Sequence, residues 1–217
     1  MITPEELTAT ALDTSKADGC IVVLTDTSEV NLRWANSTMT TNGHSTTRSF
    51  SVISVVGDSV GVVSGNGADL DEVRAVVAAS EQAAQESGSA QDVASLVQGD
   101  VDENFGEPAA ATEIEVFARL TDGLAETFSG AVESGRRELF YGFADHRVET
   151  TWLASSTGLR RRWVQPTGTI AGRRERGSAF MRRPAVHRPH HVEHQVRHGR
   201  GRQDRLVPAS GQLDLPL

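Results

Sequence analysis

The sequence predicts an α+β fold: antiparallel β-meanders with two to three packed helices, followed by a disordered C-terminal tail. Two stretches, 20–64 and 138–170, alternate apolar with polar residues, the spacing of half-buried strands. Helical spacing and helix-start signals fill the segments before and between them. The order meander, helices, meander favours α+β over an alternating parallel-sheet design. Charge marks the tail. Up to Ala171 there are 25 acids against 11 bases, whereas from Gly172 onward there are ten Arg, no Lys and four acids. The expected division is therefore a domain over 1–171 and an Arg/His-rich tail over 172–217.

The first element is a helix over 4–16. Thr3 and Glu6 form a capping box, Pro4 takes the first helical position, and Ile2 and Leu7 stand at the staple positions. Ile21-Val22-Val23-Leu24 reads as a buried strand and Asp26-Thr27-Ser28-Glu29 as a turn. Val30, Leu32 and Trp34 make a half-buried strand. Asn42-Gly43 is a tight-turn signal, since both residues tolerate positive φ. Residues 50–56 and 60–63 form a hairpin around Gly57-Asp58, so four or five strands are expected between Cys20 and Ser64.

Asp69 caps a helix carrying Leu70, Val73, Val77 and Ala84 on one face. Residues 86–108 are polar and read as a loop. Thr112 to Glu115 repeat the cap signature before an apolar stripe of Phe117, Leu120, Leu124 and Phe128, ending near Gly135. Leu139, Tyr141 and Phe143 alternate, as do Val148, Thr150 and Trp152. Ser155 to Gly158 make a turn, 159–164 a strand, and 167–170 the start of one more.

Several segments now acquire a family likeness. ITPEELTATAL, DGCIVVL and NLRWANSTMTTNG at the N-terminus, and RELFYGFADHRVETTWLASSTGLRRRWVQPTGT later, resemble the N-terminal region of the TldD/PmbA family. These proteins are metallopeptidase-related and are also called modulators of DNA gyrase. LRWANSTMTTNG is closer to the metal-free PmbA/TldE-like type. The likeness covers about 170 residues and ends after Ala171. It implies peptidase subunits that bind a metal, zinc by expectation, through a His-Glu-x-x-x-His motif and a Cys in a C-terminal domain. It also implies a paired assembly in which a TldD-like subunit joins a metal-free one around a peptide-binding interior. This chain has no His-Glu pair, and its one cysteine, Cys20, lies in an N-terminal strand. No catalytic residue, cofactor ligand or metal ligand is carried over.

The resemblance therefore implies a truncated N-terminal part of such a subunit, inactive alone, whose partner is a TldD-like subunit or another copy. The rival readings are a stand-alone module docking on a TldD-like partner and a nucleic-acid-associated protein using the Arg tail. Residues that could line a peptide cleft or an interface are Asn36, Thr40, Thr41, Asn42, Arg160, Arg161 and Arg162. Turn chemistry for the first four and a solvated strand rim for the arginines are the plainer meanings. Asp145-His146 reads as a turn or surface pair, since neighbours on a strand point to opposite faces.

The tail admits three readings. His187, His191, His194 and His198 share helical spacing suited to a metal, but Pro189 interrupts it. Ten arginines suit phosphates, yet Phe180 alone could stack on a base, and the acidic body repels nucleic acid. The preferred reading is a frameshift near Ala171: Arg outnumbers Lys 20 to 1, and the tail has the aperiodic Arg, Pro, Gly, Ala and His content of GC-rich DNA read out of frame. Such a segment cannot offset its ordering entropy by burial. A single cysteine excludes an intramolecular disulfide, and neither a signal peptide nor an 18-residue apolar window is present. The expected location is the cytoplasm.

Overall fold

The computed structural model describes residues 2–67, 69–91, 94–135 and 138–176. The tail expectations beyond Arg176 lie outside the described residues. The elements, in order, are α1 (Pro4–Thr14), β1 (Gly19–Ala35), β2 (Thr38–Val56), β3 (Ser59–Gly65), α2 (Leu70–Glu86), a 3-10 turn (Ile114–Phe117), α3 (Ala118–Glu133), β4 (Glu138–Ser155) and β5 (Arg160–Arg176). The strands form one antiparallel sheet in the order β3-β2-β1-β4-β5, and the fold is α+β as expected.

Three elements differ from expectation, each for a physical reason. β1 runs unbroken through the tetrad expected to turn. Cys20, Val22, Leu24, Asp26, Ser28, Val30, Leu32 and Trp34 are all buried, so Asp26 and Ser28 continue the inward row. Asn42-Gly43 lies within β2, and the chain reverses instead at Asn36-Ser37, with φ of 53° and 56°. A local turn preference loses because register must keep Cys20, Val22 and Leu24 on the same buried face as Phe50, Val52 and Ser54. Three strands, not four or five, therefore fill 20–64. β4 and β5 are likewise continuous. Pro166 fits inside β5 because an edge strand has one side on which a missing N–H breaks no ladder bond.

The described residues divide into two compact units. The first contains α1, α2, β3, the segment 87–116 and the parts of the other strands at 19–31, 42–56, 145–155 and 160–169. Its core joins Leu7 and Ala11 of α1, Val73, Val76 and Val77 of α2, and Cys20, Val22, Leu24, Phe50, Val52, Trp152 and Ala154 of the sheet. Thr3 Oγ1 accepts from the Glu6 amide at 3.1 Å, as the capping box requires. α1 stops two residues early because the Glu81 carboxylate accepts from the amides of Lys16 and Ala17 at 2.5 and 3.1 Å. At Gly61, an added Cβ would overlap the Ser80 carbonyl oxygen and the Ala84 amide, so glycine lets β3 and α2 approach.

The second unit holds 32–41, α3, 138–144 and, of its described C-terminal part, 170–176. Trp34 lies against Gly142, where an added Cβ would overlap its ring. Phe128 of α3 meets Phe140 with ring centroids 5.8 Å apart.

Candidate functional site

Among its described residues the segment 87–113 has neither helix nor extended strand, yet it is held at many points. Its course begins at the strand ends, where the Ala90 amide donates to the Asp58 carbonyl at 2.8 Å and Gly99 N–H to the Thr157 carbonyl at 3.1 Å. It then runs beside the start of β5. Val101 bridges Arg160 in parallel fashion, with Arg160 N–H donating to Asp100 and Asp102 N–H to Arg160, both at 2.9 Å.

The three consecutive arginines serve this segment. Arg160 Nη1 donates to the carbonyls of Ser155 and Leu159. Arg161 reaches Asp102 at 2.5 Å and Asp100 at 3.0 Å. The Arg162 amide donates to Asp102 at 2.9 Å, and its guanidinium lies on the other face, donating to the Pro108 carbonyl at 2.7 Å and sitting 5.8 Å from the Trp152 ring centre. That amide and then the Arg161 guanidinium hold the Asp102 carboxyl below its ordinary range. The same pairing raises the Arg161 guanidinium above its own.

From Phe105 onward the segment runs along the inward face of the sheet, where polar side chains receive it. Trp152 Nε1 donates to the Phe105 carbonyl at 3.0 Å, and Thr150 Oγ1 accepts from the Ala110 amide at 3.0 Å. Ser28 Oγ accepts from the Thr112 amide at 3.1 Å, with the exposed His44 ring 3.5 Å away. Thr112 Oγ1 and His146 Nδ1 lie 2.7 Å apart. His146 is buried on the inward row of β4, so the expected surface role is corrected. Burial pushes its imidazole below the usual histidine range, with Asp145 acting weakly the other way. Thr112 is thereby drawn inward and does not cap a helix. α3 starts without a side-chain cap, after a 3-10 turn.

The remaining candidates sit on the β1–β2 hairpin. Asn36, at positive φ, accepts through Oδ1 from the Tyr141 hydroxyl, over whose ring Arg173 lies at 5.0 Å. Thr40 Oγ1 donates to the Arg33 carbonyl at 3.2 Å. Thr41 and Asn42 are exposed. Asn36, Thr40 and Thr41 belong to the second unit, Asn42 and the three arginines to the first. Not foreseen as turned inward were Asp26, Ser28, Arg48 and His146 of the strands and Thr112, which packs against them. The even numbering of Cys20 to Trp34 was the signal that could have found the first two.

The residues described do not fit a metal. Among them no three His, Cys, Asp or Glu are grouped to hold one, and burial pushes the Cys20 thiol up, away from the thiolate a ligand needs. Nor is any helix among them long and apolar enough to cross a membrane.

The architecture defines the class: an α+β domain whose antiparallel sheet is covered on its inward face by two helices and a strapped segment. Residues 20–84 match the sequence model described as PmbA/TldA metallopeptidase domain 1, a stretch that includes the NLRWANSTMTTNG segment and most of DGCIVVL. Solved structures agree in fold. TldE from Thermococcus kodakarensis superposes with a TM-score of 0.57 at 10% identity, over 80% of this chain and 43% of that one. A protein provisionally described as a modulator of DNA gyrase from Bacteroides thetaiotaomicron gives 0.56 at 13%, over 79% and 41%. Another so described, from Thermotoga maritima, gives 0.58 at 14%, over 82% and 41%. At these identities the likeness shows the fold alone. This chain spans about two fifths of the length of the structures it matches. No curated protein matches the sequence.

Proposed function

We propose that this chain is an N-terminal part of a TldD/PmbA-type subunit, shaping an assembly and its peptide-binding interior without peptidase activity of its own. The first-domain match over residues 20–84 carries this reading. The fold shared with TldE supports it, as does the absence of a His-Glu pair from the sequence. Its partner is a TldD-like, metal-bearing subunit in the cytoplasm, and the metal belongs to that partner. Peptides reach the assembly, while Asn36, Thr40, Thr41 and Asn42 face its interior or interface.

Co-expression with a metal-bearing TldD-like subunit tests the proposal. The expected result is a complex stable through size exclusion, with peptide cleavage in the complex and none by this chain alone. Chelator-sensitive cleavage by the isolated chain, or failure of the folded chain to bind the partner, would overturn it.

A further inference from the structure

The geometry points to the free edge of β2, residues 42–49, as a surface that pairs with the same edge of a second copy of this chain. β3 pairs with β2 only from Phe50↔Gly65 to Val56↔Ser59, and β1 occupies the other side. Before Phe50, no strand among the described residues covers the outer edge, and every side chain of 42–49 is exposed except Gly43 and Arg48. Among the described residues, no strand lies on that side for the backbone groups of 42–49 to pair with.

Edge strands are ordinarily protected by charge, proline, or a covering segment. From Asn42 to Thr47 the sequence is Asn-Gly-His-Ser-Thr-Thr, without proline and without Lys, Arg, Asp or Glu. Arg48 is no guard, because its guanidinium turns inward to Asp26 and the Ile2 carbonyl. The edge at β5 shows the contrast. Its start is covered by Val101, Arg161 holds Asp100 and Asp102 there, and Pro166 follows.

Charge selects the occupant. Up to Ala171 the chain carries 25 acids, yet none lies between Glu29 and Asp58. Two copies meeting along this edge bring hydroxyls, amides and an imidazole together and set no carboxylates against one another. A two-fold antiparallel pairing is self-complementary, and Thr and Ser pairs across strands are favourable. Residues 42–47 offer no charge to select a foreign sequence, and self-pairing needs none. The inference goes beyond the proposed subunit role and does not rest on it.

Light scattering on the full chain over a concentration series tests it. The expected mass is twice that of one chain at high concentration. Thr46→Lys and Thr47→Lys, on opposite faces of the edge, each weaken the dimer at least tenfold while circular dichroism stays unchanged. Val62→Lys on β3 leaves the dimer intact. A monomer at every concentration, or a dimer indifferent to both edge lysines, overturns the inference. A monomer that takes up an added peptide along residues 42–49 overturns it too, assigning the edge to a foreign strand. Should the edge variants misfold, amide exchange on the unsubstituted chain decides. Slower exchange within residues 42–49 at high concentration supports pairing, and exchange independent of concentration refutes it.

Discussion

Thr112 Oγ1 and His146 Nδ1 lie 2.7 Å apart beneath the segment that crosses the sheet, fastening a stretch without regular structure to the centre of β4. With Ser28 holding the Thr112 amide and Thr150 the Ala110 amide, this contact anchors Ala110 and Thr112 to the inward face of the sheet, and Thr112 is buried there. The buried imidazole makes the arrangement sensitive to acid.

In the folded chain His146 protonates below the usual histidine range because burial disfavours its charged form. The unfolded chain takes up the proton near pH 6.5. Stability should therefore hold above that pH and fall as pH drops through it, by at most about 1.4 kcal/mol per unit, until the folded-state value is reached. Urea unfolding from pH 7.5 to 5 should show this slope, and His146→Gln should flatten it.

Asp26 and Arg48 form a two-pronged ion pair at 2.6 Å on each arm, with side chains only 12% and 9% exposed. Asp26→Ala leaves the guanidinium buried without its counter-charge and should cost about 3–5 kcal/mol in denaturant unfolding. Asp26→Leu combined with Arg48→Met should recover most of that loss, since a well-packed apolar pair needs no charge partner.

Gly61→Ala should destabilise the chain by about 1–3 kcal/mol, because the methyl group overlaps α2 backbone, which cannot swing aside like a side chain. Val62→Ala, one residue along on the exposed face of the same strand, should change the melting midpoint little. Equal effects would contradict the packing described.

Arg161 and Arg162 are neighbours in sequence with opposite surroundings. The Arg161 side chain is half exposed, so Arg161→Ala should destabilise the chain only slightly, and less at high salt. The Arg162 side chain is 7% exposed, donates to Pro108 and covers Trp152, so Arg162→Ala should cost about 2–3 kcal/mol and resist salt. Limited proteolysis within 99–108 should rise more for the second variant.

Elements with a strong local signature were legible in the sequence. The Thr3 capping box, the Asp69 cap and the Gly57-Asp58 hairpin all stand where their chemistry places them. Asp26 and Ser28 were misread because acids and hydroxyls ordinarily signal turns, and nothing nearby in sequence reveals Arg48 or Thr112 waiting across the fold. His146 was misread for the same reason: an Asp-His pair looks solvated until a distant threonine covers it. Of the candidate residues, Arg161 and Arg162 emerged as fasteners of 99–108, a role that depends on acids about 60 positions earlier.

By itself the sequence determined the class of fold, the starts of α1 and α2, the inward positions of Val30, Leu32, Trp34, Val148, Thr150 and Trp152, and the family likeness of the N-terminal region. These follow from short-range rules: the two-residue repeat of a strand, the cap of a helix, and motifs read in order. Only the tertiary structure decided that β1 runs straight through Asp26, that the chain reverses at Asn36-Ser37, and that Phe105 and Thr112 are buried against the sheet. Those outcomes depend on partners far apart in the chain. A buried polar group must find its hydrogen bond wherever the fold supplies one, and that requirement outweighs a local preference for a turn.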